Sequence, residues 1–104
     1  MAIQYKVDFE KLEWKSPMDG VRDKHLDQNG VRLRLVEYSK KMQAHWCERG
    51  HCGYLISGRM EVEFSGTMIT YGAGDAIFIP DGPEHRHKAR ILYDKAVAFF
   101  QEKV

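Results

Sequence analysis

At 104 residues and 12.1 kDa the chain can bury a core as one domain without metal or disulfide staples. Its 16 Lys and Arg against 15 Asp and Glu leave a formal net charge of +1, and acids are interleaved with the bases between Lys6 and Lys24, so no electrostatic footprint for nucleic acid or an anionic membrane is present. No run nears the ~20 apolar residues of a membrane span, and the first fifteen residues lack the apolar core of a secretory signal, so the chain reads as cytoplasmic with Cys47 and Cys52 reduced.

Along the chain, Val7–Trp14 reads as an edge strand or a short helix, and Ser16–Gly20 as a turn. Gln28-Asn29-Gly30 carries the positive-φ residues of a type I′ hairpin turn between VRDKHL and VRLRLVEY, where Val31, Leu33 and Leu35 face one way and Arg32 and Arg34 the other. KMQAHWC follows, then a loop around Glu48–Gly50, then GYLI. SGRM turns the chain into EVEF, and Ser65-Gly66 turns it into TMITY. GAGD leads to AIFI, PDGPE to HRHKAR, and the last run is KAVAFF. Short alternating strands at this spacing, with no sustained helical repeat, predict an all-β sandwich or barrel. Residues 1–30 form N-terminal strands and a hairpin packed on a barrel core of 31–104, one domain overall.

Residues two apart on a strand share a face, so His45 and Cys47 project together while Trp46 points away. His51 opens the next, antiparallel strand, which brings it opposite that pair. His85 starts a later strand, with His87 two residues on. If these faces line one barrel, imidazoles and a thiol converge; neutral imidazole suits Zn²⁺, Fe²⁺, Ni²⁺ and Cu²⁺, and thiolate adds preference for softer ions. Each residue also has a plainer role: His51 as a loop cap, Glu48 as an exposed charge rather than a general base, and His87 as a rim histidine rather than a proton-handling group. Cys52 faces away from His51 and reads as packing, and His25 as surface. No Gly-x-Ser-x-Gly, Walker-type or zinc-ribbon pattern is present.

Two spacings give the chain a resemblance. Gly74, five residues, Pro80-Asp81-Gly82, two residues and His85 match the second motif of the cupins, β-barrels of the double-stranded β-helix or jelly-roll type. The first cupin motif, His-x-His, glutamate, six residues and glycine, is met in spacing by His45, Cys47, His51 and Gly58. Cys47 stands for the second histidine and His51 for the glutamate, while Ser39 and Ala89 replace a glycine and an asparagine of the pattern. The resemblance covers roughly residues 31–100. It implies a single-domain cupin barrel holding one divalent transition metal on His45, Cys47, His51 and His85. Either Cys47 ligates, giving a set that suits Zn²⁺ or Fe²⁺, or it stands beside a three-histidine face; Ni²⁺ and Mn²⁺ are further candidates.

The resemblance also implies a function: a metal-dependent enzyme on a small organic molecule, dioxygenase-type in its sharper form or an isomerase, with Glu48 or His87 handling a proton. The alternative is a non-catalytic module that binds or senses a small ligand or metal. Neither reading involves nucleic acid or a membrane, and both expect a homodimer.

Overall fold

The computed structural model describes residues 2–104. After a 3-10 turn at Phe9–Lys11 come eight strands: β1 (Lys15–Met18), β2 (Val21–Gln28), β3 (Val31–Ser39), β4 (Trp46–Cys47), β5 (His51–Phe64), β6 (Thr67–Gly72), β7 (Ala76–Ile79) and β8 (His87–Lys103). They pair antiparallel in the order β1-β2-β3-β8-β5-β6, with β4 also on β8 and β7 also on β5, and the sheet folds on itself as a jelly-roll barrel. A second 3-10 turn, Pro83–His85, separates β7 from β8. Among the described residues no helix is long and apolar enough to cross a membrane.

The hairpin expected at Asn29-Gly30 is present, with φ of 53° and 76° and Gln28 paired to Val31. The segment around Phe9 resolves into the 3-10 turn, capped by the Asp8 carboxylate, which accepts from the Glu10 N–H at 3.1 Å. Phe9 packs edge-on against Phe99 of β8.

One expected turn and one expected break between runs are bends inside long strands. SGRM does not reverse the chain; β5 runs through it with register shifts between Leu55 and Arg59. Gly58, at φ 86°, makes that possible, since a Cβ there would lie 2.2 Å from the Lys95 carbonyl oxygen. Likewise HRHKAR and KAVAFF belong to one strand, bent at Tyr93 with φ 65°.

Alternation along the strands then sets the inside of the barrel. Val36 and Tyr38 of β3 and Ala96, Ala98 and Phe100 of β8 are buried. Arg34 shares the inward face with Val36 and Tyr38, while the Leu33–Leu35 stripe is half-buried on the other side. Burying Phe100 stabilises the fold by about 1.5–3 kcal/mol relative to leaving it exposed.

Candidate functional site

The barrel encloses a cavity of about 230 Å³. Met42, Met60, Val62, Ile77, Ile79 and Phe100 supply much of its apolar wall, and Cys47, His51 and His87 meet on it. Strand pairing explains the meeting: Cys47 is opposite His87 in the short β4–β8 ladder, and His51 opens β5 beside Ile79 of β7. The His51 and His87 rings meet edge to face at 5.3 Å, and His51 also lies 4.8 Å from the Phe100 ring.

The loop between β4 and β5 is stitched to the Pro80–Gly82 turn. The Gly50 N–H donates to Asp81 Oδ1 at 2.6 Å, and the Gly82 N–H donates to the Glu48 carbonyl at 3.0 Å. A Cβ on Gly50 would sit 2.4 Å from the Ile79 carbonyl oxygen, so the approach needs glycine.

Behind His51 lies a buried charge network. The His51 Nδ1–H donates to Glu102 Oε2 at 2.6 Å, and Arg34 donates to the same oxygen at 3.2 Å and to Asp23 Oδ2 at 2.7 Å. His25 closes the chain on Asp23 Oδ1 at 3.4 Å. Asp23 and Glu102 are almost fully buried, yet Arg34 and the imidazoles leave no buried side-chain polar atom unpartnered among the described residues.

These contacts tune the donors. Burial works against a charged His51, but its bonds with Cys47 and Glu102 outweigh that and hold it above its ordinary pKa. Hydrogen bonding with His51 holds the Cys47 thiol below its usual value, against the opposing effect of burial. Burial pushes His87 down, helped by the nearby His51 and His45 charges, so it stays neutral at pH 7.

The ligand atoms of Cys47, His51 and His87 all lie within 4.8 Å of one another. Tetrahedral binding at Zn–N and Zn–S lengths of ~2.1 and ~2.3 Å needs donors about 3.3–3.6 Å apart, so a modest inward movement completes a site. The imidazoles are prepared for it. Nδ1 of His51 is committed to Glu102 and Nδ1 of His87 to the His85 carbonyl at 3.1 Å, which leaves Nε2 of each as the nitrogen for an ion, in His51 one that would exchange its bond with the Cys47 thiol for the metal. A soft-to-intermediate divalent ion fits this donor set.

Of the residues expected at the metal, Cys47 and His51 are in this trio, and His87, expected to handle a proton, is its third member. His45 lines the cavity but is exposed and outside the trio, with Nδ1 3.2 Å from the Gln43 carbonyl. His85 ends the 3-10 turn, partly exposed and 3.7 Å from Glu84, and does not line the cavity. The turn interrupts the strand alternation that would have put His85 and His87 on one face. Glu48 is exposed, and only its carbonyl is engaged. Phe100 lines the cavity wall, whereas Tyr54 and Phe78 are exposed outside.

Sequence reading missed Glu102, Arg34, Asp23 and Tyr38. The available signal was their parity: Glu102 follows Ala98 and Phe100 at every second position, and Arg34 precedes Val36 and Tyr38 in the same way.

A family model described as the cupin domain matches residues 34–99. Among solved structures, KdgF from Halomonas sp. superposes with a TM-score of 0.76 at 21% identity, over 98% of this chain and 94% of that one. An RmlC-like cupin from Shewanella frigidimarina gives 0.74 at 15%, covering 97% and 91%. The polyketide cyclase RemF from Streptomyces resistomycificus gives 0.74 at 18%, covering 97% and 80%. No curated protein matches the sequence.

Proposed function

This chain belongs to the cupin domain family, and we propose that it is a metal-dependent enzyme acting on a small organic molecule held in the barrel cavity. The observation that carries the reading is the convergence of Cys47, His51 and His87 on that cavity, with both imidazole Nδ1 atoms already committed to oxygen acceptors. A bound Fe²⁺ or Zn²⁺ would supply Lewis-acid polarisation, and iron would add oxygen chemistry of the dioxygenase type. In this reading Glu102 orients His51, neutral His87 keeps its lone pair available, and the apolar wall limits water around the substrate.

Metal content of the untagged protein, purified without added metal and read by inductively coupled plasma mass spectrometry, tests the ligand set. The expected result is about one iron or zinc per chain, lost in His51→Ala and His87→Ala and retained in His85→Ala. No metal even after reconstitution would sink the enzyme reading. If the bound metal is iron, oxygen uptake with small acids and thiols is the assay to follow.

One observation favours a second reading, a non-catalytic module. Among the described residues no carboxylate lines the cavity, and Glu48 is exposed outside it, so acid–base work falls to the imidazoles and the Cys47 thiol. The outer face also carries Phe78, 76% exposed, and Tyr54, 47% exposed, on the paired strands β7 and β5, which supports a homodimer checked by sedimentation equilibrium. We place the protein in the cytoplasm, where two free cysteines stay reduced.

A further inference from the structure

The chemistry of the cavity lining narrows what it can hold. Among the described residues it contains no Asp, Glu, Asn, Gln, Ser or Thr. Hydroxyl-rich ligands need a matching set of donors and acceptors, because each unpaired polar group taken out of water is costly. Here the side-chain polar groups besides the arginines are the Tyr38 hydroxyl, three imidazoles and one thiol. A sugar-like body is therefore a poor match and a hydrocarbon body a good one.

Two arginines line the cavity, and they differ. Arg34 is neutralised by Asp23 and Glu102 at 2.7 and 3.2 Å. Arg49 lines the cavity, is exposed, and has no ion-pair partner among the described residues. Its loop is fixed by the bonds from Gly50 and Gly82, and its own carbonyl accepts from the Cys47 thiol at 3.9 Å. A planar guanidinium beside an apolar cavity is a bidentate receptor for a carboxylate. With no acidic group on the lining, nothing there compensates a cationic ligand.

We propose that the ligand is a small monocarboxylate with an apolar, unhydroxylated body, its carboxylate on Arg49 and its hydrocarbon part against the Met60–Val62 wall. This rests on the cavity being the substrate site described above. At about 30 Å³ for each water-sized group, the 230 Å³ cavity takes roughly eight non-hydrogen atoms.

Hexanoate has that size and serves as the probe, with hexanamide, hexylamine and xylose beside it. Titration calorimetry on metal-stripped protein separates Arg49 from any effect of metal on a carboxylate. Hexanoate is expected to bind about tenfold or more tightly than hexanamide, as loss of a charge-assisted pair implies. Hexylamine and xylose are expected to bind more weakly than either. Arg49→Gln should bring the hexanoate-to-hexanamide ratio close to one without changing hexanamide affinity, and Arg49→Lys should restore part of it. Equal binding of acid and amide, a ratio unchanged in Arg49→Gln, tighter binding of xylose, or no binding of any probe would each overturn the proposal. Metal content measured on the same samples keeps the two readings apart. Acid-selective binding in a protein that never takes up metal removes the metal reading alone, and a metal-loaded protein indifferent to the carboxylate removes this one alone.

Discussion

Glu102 and His51, 51 residues apart in the chain, meet across the β5–β8 pairing with Oε2 2.6 Å from Nδ1. The carboxylate can only accept, so the proton must sit on Nδ1, and the imidazole presents Nε2 to an incoming ion. Glu102→Gln keeps the shape of the residue but removes its charge. Cobalt(II) affinity, followed by visible absorption, is expected to fall roughly 10–100-fold in this variant. A folded Glu102→Gln protein with unchanged affinity would show that Glu102 does not orient His51.

Arg34 is the one arginine or lysine bonded to both buried carboxylates. Replacing it with methionine leaves Asp23 and Glu102 buried without their cation, which is expected to destabilise the fold by about 3–5 kcal/mol. Urea unfolding measures this. Adding Asp23→Asn and Glu102→Gln to Arg34→Met should recover part of the loss, and a triple variant no more stable than the single one would contradict the assignment.

Tyr38 is pushed up to about 12 from an ordinary value of 10, chiefly by burial, with Arg34 opposing the shift. In the folded protein its hydroxyl therefore keeps its proton to higher pH than in the unfolded chain. The associated stability is fully present below pH 10 and is lost as pH rises from 10 towards 12, by up to about 2–3 kcal/mol. Unfolding curves between pH 9 and 12 should slope less steeply for Tyr38→Phe than for the parent chain. Parallel slopes would mean that Tyr38 takes no part in the alkaline loss.

Gly53 lies inside β5, away from any turn, where a Cβ would come 1.9 Å from the Phe99 carbonyl oxygen. Backbone cannot yield as a side chain does, so Gly53→Ala is expected to cost more than about 4 kcal/mol or to abolish folding. Gly74→Ala is the matched control. Its φ of 96° is strained for alanine but nothing lies within 4 Å, so about 1–3 kcal/mol is expected. Thermal unfolding ranks the two, and equal losses would refute the crowding argument.

The parts of this molecule legible in its sequence are those that local chemistry dictates. Asn29-Gly30 forces its turn whatever surrounds it, and Gly74, Pro80 and Gly82 mark the second motif by spacing alone. Cys47 and His51 were also within reach, because they flank one short loop. His87 was harder to assign. Its place depends on the 3-10 turn at Pro83–His85, whose half-exposed histidine copies the expected ligand spacing while pointing to a different environment. Glu102 was invisible as a site residue because its partners, His51 and Arg34, come from other strands. Without a register, a glutamate between Gln101 and Lys103 reads as solvated surface. The continuity of β5 and β8 was hidden for a related reason: Gly58 and Tyr93 bend strands that Gly and polar residues seemed to end.

The Glu102–Arg34 contact spans 68 residues of chain and the Glu102–His51 contact 51, so the support behind His51 is built from sequence-distant pairs. Contacts of this range form slowly, since the loop entropy must be overcome before they reward the chain. Cys47 and His51 lie four residues apart and could meet an ion early, but His87 joins them only when β8 pairs with β4, and Glu102 reaches His51 only when β8 lies beside β5. The complete trio, with His51 oriented, therefore exists only in the finished barrel, and an ion bound there would be a guest of the fold rather than its template. The metal-free protein should refold at the same rate with or without zinc in the buffer, and zinc should act by slowing unfolding and raising the Tm through mass action.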